Sequence, residues 1–224
     1  MRKSGVVLIA LGAVLLLAAL LLFLYNQHED AMAGQAAGEA YAAMQDILVQ
    51  QEPDPNAPSM PDLTQQIPEE TQAEGETPTQ PTELTIVNIE GNDYICYLSF
   101  ADYDLNLPIM ADWSMDKLQV APCLQYGSPL TDDAVIAGHN FKHHFRCLHD
   151  IEEGAFLSFT DMNGYVIEYQ VTQVKIIDPT NVYEVINSEF DLILYTCTSG
   201  GQSRVIVCCD RLADQPQAET GETT

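Results

Sequence analysis

The chain has 224 residues, with 33 Asp and Glu against 8 Lys and Arg, for a formal net charge of −25. This balance excludes a nucleic-acid binder, which needs basic surface to neutralise phosphate. Apolar residues make up 46 % of the chain and are distributed very unevenly, which divides it into segments.

Arg2 and Lys3 come first, and Ser4 to Gln27 then carries no charge. Val6 to Tyr25 is almost wholly Leu, Ala, Val, Ile, Gly and Phe. About twenty residues at ~1.5 Å rise span ~30 Å, the hydrocarbon thickness of a bilayer. Bases precede the span, and His28, Glu29 and Asp30 follow it. The positive-inside rule then puts the N-terminus in the cytoplasm and the rest outside the cell membrane. Residues 1–28 are thus expected to form a single-pass signal-anchor. Ala31-Met32-Ala33-Gly34 resembles a small-residue cleavage site, but the apolar run exceeds the roughly 7–15 residues of a signal-peptide core, which favours an uncleaved anchor.

Residues 29–83 hold twelve acids and no Lys or Arg, and seven prolines from Pro53 to Pro81 punctuate them. Such a segment buries too little apolar surface to offset its ordering entropy. It reads as a disordered, self-repelling stalk whose job is reach. Ala36 to Gln50 is Ala-rich and can form a helix just outside the membrane. Residues 84–212 form one domain of ordinary size, and 213–224 an acidic disordered tail.

Within the domain the apolar segments are short and rich in Val, Ile, Tyr and Phe. Tyr94–Phe100, Asp133–Ala137, Phe156–Thr160, Val166–Thr172, Val174–Ile177, Leu192–Thr196 and Val205–Cys209 read as strands. Asp161-Met162-Asn163-Gly164 reads as a hairpin turn. Helical signals are weak, with a turn or two near Asp112 to Leu118 and after Asn181. Many short strands with turns between them predict a mainly all-β, closed or nearly closed barrel.

Six cysteines outside the cytoplasm would suggest disulfides. Their spacing gives no compact framework, no Cys-x-x-Cys is present, and Cys208 and Cys209 would face opposite sides of a strand. Cys96, Cys123, Cys147, Cys208 and Cys209 therefore read as core fillers. The Cys and His positions lack recognisable zinc spacing, so neither metal nor cofactor is expected.

One stretch, Asp191 to Val207, stands apart. An apolar run ends at Cys197, a short glycine loop follows, and Arg204 opens a second apolar run. The hairpin brings a thiol and a guanidinium to one end of a sheet. A thiolate nucleophile needs such a cation, either to lower its pKa or to stabilise the charge it creates. Singly, a strand-end Cys is a small buried hydrophobe and a strand-end Arg a solvated edge charge. A third residue changes that balance. In Ala134-Val135-Ile136-Ala137-Gly138-His139, a histidine sits at the mouth of a buried strand, behind a glycine that permits close backbone approach. His143, His144 and His149 follow in a polar loop, where solvated side chains are expected. Nucleophile, proton carrier and oxyanion partner are then Cys197, His139 and Arg204.

These residues resemble the sortases, membrane-anchored cysteine transpeptidases and thiol proteases of Gram-positive cell surfaces. The family's Thr-Leu-x-Thr-Cys is matched by Ile193-Leu194-Tyr195-Thr196-Cys197, with Ile193 in place of the first Thr, and its later Arg is matched by Arg204. Gly138-His139 matches its Gly-His. Tyr97 to Phe100, Leu107-Pro108-Ile109, Asn140 to Gly164 and Ile177-Asp178-Pro179 are similar to further family segments, so the likeness covers about Asn92 to Arg211. It departs in the short Cys197–Arg204 loop, and in the lack of a long helix-forming insertion between Ile177 and Asp191. The subclass stays open.

The resemblance implies a closed sortase-type β-barrel of about eight strands with short helices. It implies cleavage of an LPxTG-like sorting signal through a Cys197 thioester, with His139 and Arg204 as the other catalytic residues. Thr196 would bind substrate beside the nucleophile. The implied partners are sorting-signal-bearing surface proteins and an amine from a peptidoglycan peptide or a pilin lysine, for anchoring to the cell wall or pilus assembly. Three other readings stand beside this one. An L,D-transpeptidase would need a Ser-x-Gly-Cys-type neighbourhood, and Tyr195-Thr196 precedes the cysteine here. A non-catalytic, membrane-anchored binding barrel requires neither a reactive Cys197 nor His139. A secreted disulfide-stabilised domain would show few free thiols.

Overall fold

A computed structural model of the protein describes residues 2–51, 81–103, 105–181, 185 and 188–212. The predicted tail and most of the predicted stalk lie outside these residues. Among them are one α-helix, α1 (Arg2–Gln51), and nine strands: β1 (Val87–Ile89), β2 (Asn92–Phe100), β3 (Leu105–Met110), β4 (Cys123–Tyr126), β5 (Ala134–Ala137), β6 (Phe156–Asp161), β7 (Val166–Ile177), β8 (Leu192–Cys197) and β9 (Arg204–Arg211). Short 3₁₀ turns at Lys117–Gln119 and Phe145–His149 flank β4 and β5.

The strands run in the order β1-β2-β3-β4-β5-β8-β9-β7-β6, and β6 returns to pair with β2. Eight strands therefore close a barrel, and β1 hangs on its rim beside β2. Closure removes the open edges that such a sheet would otherwise present. The predicted all-β barrel is observed. Val166–Ile177 is one long strand where the sequence suggested two, because a register shift between Val171 and Gln173 absorbs the polar break without ending the pairing with β9. The turn at 161–164 forms as expected, with Asp161 Oδ1 accepting from the backbone N–H groups of Asn163 and Tyr165, both at 2.8 Å.

Two apolar layers follow from strand alternation. Phe100, Ile109, Ile136, Phe159 and Leu194 fill the barrel interior. Val135, Ile193, Ile206 and Cys208 point outward from β5, β8 and β9, where Ile177, Val185 and Phe190 cover them. Strands buried on both faces read as unbroken apolar runs, which explains Ala134-Val135-Ile136-Ala137 and Leu192-Ile193-Leu194. All six cysteines are free thiols, and four of them are buried.

The helix departs from expectation. It does not stop at the end of the apolar run. It continues to Gln51 and lies on the barrel next to β3. Glu29 to Gln51 contains no proline and is rich in Ala, so nothing in it ends a helix before Pro53. Ala33, Ala37, Ala40 and Met44 repeat at helical spacing and are buried. Ala40 and Met44 join Tyr94, Met110, Leu118 and Ala121 in a small second core. Tyr41 meets Tyr97 edge-on at 5.2 Å. Burying Met44 alone contributes roughly 1.5–3 kcal/mol. The first part of the predicted stalk is thus a docked helix. Val6 to Tyr25, by contrast, are largely exposed, and this helix is long and apolar enough to cross a bilayer.

Candidate active site

Three strand ends define the site. β5 and β8 run parallel with Ala137 opposite Tyr195, and the Gly138 N–H donates to the Tyr195 carbonyl at 3.1 Å. Two further residues on each strand bring His139 and Cys197 out at the same end of the barrel. β8 and β9 are antiparallel, and Cys197 and Arg204 form their last register pair. The connection between them is held by the Thr198 N–H donating to the Ser203 carbonyl at 2.9 Å, with Gly200 and Gly201 at φ +89° and +73°. Side chains rarely adopt that backbone region, so the turn needs its two glycines.

The approach of His139 is set by Gly138. A Cβ there would lie 2.5 Å from the Phe145 ring, so only glycine lets the chain leave β5 along this path. The His139 ring is half-buried. Its Nε2 lies 3.1 Å from Gln119 Nε2, and its face stacks against Phe141 at 4.8 Å between centroids. Burial holds the imidazole below its ordinary pKa. Gln119 therefore gives His139 a neutral hydrogen-bond partner rather than a carboxylate.

Cys197 is partly exposed and free. The His149 ring nitrogen Nε2 reaches its carbonyl oxygen at 3.2 Å. The Arg204 guanidinium folds back on its own turn, Nη1 donating to the carbonyls of Gly201 and Ser203, both at 3.1 Å. Among the described residues no hydrogen bond joins the side chains of Cys197, His139 and Arg204. The fold gathers the three residues at one barrel end. Arg211 lies at the far end of β9, bonded to Asp132 and Tyr165.

Thr196 is placed elsewhere. It alternates with Cys197, pairs with inward-facing Val205, and is 1 % exposed with its hydroxyl unpartnered. It faces the barrel interior, and the residue beside Cys197 that faces outward is Tyr195. Tyr195 lines a cavity of ≈ 120 Å³ with Val135, Val185, Arg204 and Ile206, and Asp178 stands at its edge. The Tyr195 hydroxyl donates to Gln125 Oε1.

On the other flank, α1 meets the loop that carries His139. Asp30 Oδ1 accepts the Lys142 backbone N–H at 2.6 Å. His144, expected to be solvated, is fully buried there, with the backbones of Ala33 and Val120 against its ring. Burial, and then the neighbouring His139, push its pKa down to about 4. Phe141 links the two histidines, 5.4 Å from His144. A cavity of ≈ 610 Å³ lies between α1 and this loop, with His139 in its wall. Gln119, His149 and Tyr195 were not singled out in the sequence. Only Tyr195 carried a signal, its alternation with Cys197. Among the described residues no group of three or more His, Cys, Asp or Glu stands together to hold a metal ion.

A family model described as "Sortase domain" matches residues 98–212. Sortase A from Corynebacterium diphtheriae is similar in structure, with a TM-score of 0.51 and 23 % identity over 56 % of this chain and 64 % of that one. A crystal structure of sortase C1 from Streptococcus agalactiae gives a TM-score of 0.50 and 22 % identity over 55 % of this chain and 70 % of that one. The match thus spans slightly under two thirds of the Corynebacterium protein, and at these identities the likeness is one of fold. No curated protein matches the sequence.

Proposed function

The chain belongs to the sortase family, whose domain model spans just over half of it, and from that premise we propose that it is a cysteine transpeptidase acting on secreted proteins that bear a sorting signal. The single observation that carries this reading is the register pair Cys197–Arg204, with His139 one parallel strand away at the same barrel end.

In this reading the Cys197 thiolate attacks the carbonyl of an LPxTG-like signal. Arg204 leaves the carbonyls of its own turn and donates to the oxyanion. His139 protonates the departing amine, the peptide bond breaks and a thioester forms. A second amine resolves the thioester with neutral His139 as base, a state that burial favours. The cavity beside Tyr195 and Arg204 holds the residues on the acyl side of the scissile bond, its walls of Val135, Val185 and Ile206 suiting an aliphatic side chain. The acceptor is a peptidoglycan peptide amine or a pilin lysine.

The apolar part of α1 serves as an uncleaved membrane anchor with the barrel on the outer side. Residues on both sides of the cleavage-like Ala31–Gly34 support this. Asp30 before it and Ala40 after it both contact the folded domain, so a cut there would sever a packed helix.

The test is mass spectrometry of the full chain in nanodiscs with a panel of sorting-signal peptides. A peptide thioester on Cys197, absent in Cys197→Ala, is expected. A folded, reduced protein that forms no adduct with any peptide, and whose Cys197 reacts with alkylating agents no faster than an ordinary thiol, refutes it in favour of a binding barrel.

A further inference from the structure

The ≈ 610 Å³ cavity between α1 and the His139 loop has no part in binding the sorting signal as described above. Its walls share no residue with the cavity beside Arg204 and Tyr195. The two hollows are therefore separate, one lined by Arg204 and the other by His139. A two-substrate transfer needs such a division. The acyl donor must contact the oxyanion partner, and the incoming amine must contact the base.

The charges in the cavity are specific for a domain of this composition. Between Leu84 and Arg211 there are 18 acids and only 6 bases. Two of those bases, Lys142 and Arg146, line this cavity, and α1 faces them with Glu29 and Asp30, while Phe23 and Tyr25 from the end of the apolar span line it further along the helix. Asp30 is fixed by its bond to the Lys142 backbone, which sets one wall against the other. A volume of this size suits a small peptide rather than an ion. The paired signs suit a ligand that carries both charges.

We propose that this cavity binds the amine acceptor, and that the acceptor it selects carries an anionic group beside its amine. Glu29 and Asp30 receive the ammonium, and Lys142 and Arg146 the anion. This rests on the transpeptidase reading given above. The ammonium gives one proton to solvent as it approaches. Its nitrogen then bonds to the thioester carbonyl carbon, its second proton passes to His139, the C–S bond breaks, and Cys197 leaves as thiolate. One wall of the site belongs to α1, so the barrel alone holds only half of it.

The experiment follows the fate of a single acyl-enzyme. The full chain is placed in phosphatidylcholine nanodiscs with a peptide that forms the thioester. The ratio of transfer product to hydrolysis product is measured with triglycine and with triglycine amide, which lacks the carboxylate. Glu29→Gln is expected to lower the ratio several-fold for both amines. Lys142→Met and Arg146→Met are expected to lower it several-fold for triglycine and leave triglycine amide unaffected. Ratios unmoved by all three substitutions, with the thioester still forming, overturn the acceptor site while leaving the transpeptidase intact. Failure to form any thioester overturns both.

Discussion

Cys197 and Arg204 sit directly across the β8–β9 ladder, yet the guanidinium turns away from the thiol and rests on the carbonyls of Gly201 and Ser203. The pairing is fixed by backbone register, while the direction of the Arg204 side chain rests on two bonds at a partly exposed turn. Such bonds are worth roughly 0.5–1.5 kcal/mol each, which an oxyanion can outcompete. In the proposed reaction Arg204 would thus be held ready beside Cys197 at little cost.

Replacing Arg204 with Lys should therefore lower the rate of thioester formation by about 10²–10³, because an ammonium cannot reproduce the planar fork. The melting temperature should hardly move, since the lost bonds lie on a turn. Single-turnover kinetics and thermal melts separate the two effects. A large stability loss with intact acylation would assign Arg204 a structural role instead.

Thr196→Val should stabilise the barrel by about 1 kcal/mol. The substitution removes a buried hydroxyl with no partner and keeps the shape. Chemical denaturation measures it. A marked fall in stability would mean that the hydroxyl is bonded in solution.

Gly138→Ala should cost about 1–3 kcal/mol, because the added methyl meets the Phe145 ring at 2.5 Å. It should also displace His139 and slow the chemistry. If activity survives at full stability, the chain leaves β5 by another path.

Docking of α1 should weaken in acid. His144 stays neutral in the fold down to about pH 4, whereas its unfolded form takes up a proton near 6.5. Between these values the unfolded chain binds more protons, so stability falls as pH falls. The contribution is intact above pH 6.5 and is lost toward pH 4, a total of roughly 3 kcal/mol. Asp30 on α1 opposes this loss and His139 adds to it. Hydrogen exchange over residues 33–44 at pH 7 and pH 4.5 reads the docking directly. Exchange in His144→Phe should depend less on pH, and an unchanged dependence would place the titration elsewhere.

Gln119→Glu should raise the pKa of His139 by about 1 unit, since a carboxylate favours imidazolium where an amide is neutral. Titration followed by NMR checks the shift. An unmoved titration would show that Gln119 does not touch the ring in solution.

Much of this was legible in the chain. Short alternating strands and the Asp161–Gly164 turn announced the barrel, and strand ends marked Cys197, Arg204 and His139. Thr196 was read as lining the groove because it neighbours Cys197, but strand alternation sends it inward, and Tyr195 is the neighbour that lines a cavity. His144 was read as solvated because its sequence neighbours are polar. What buries it is Ala33 and its neighbours on α1, more than a hundred residues earlier, and no local pattern carries such a contact. Gln119 was silent for the same reason, since only folding brings it to His139.

With the apolar span seated in a bilayer, as proposed, the docked helix also governs the distance of the barrel from it. The apolar span and the Ala33–Met44 stripe lie on one unbroken helix, so contact with the barrel is made before residue 52 is reached. In that arrangement the height of the barrel does not depend on the proline-rich stretch beyond it. Height is instead metered by helix pitch, ~1.5 Å for each residue between span and stripe. Under that proposal the barrel is mounted like a tool in a fixed holder, and a sorting signal would have to be delivered to that level rather than sought out.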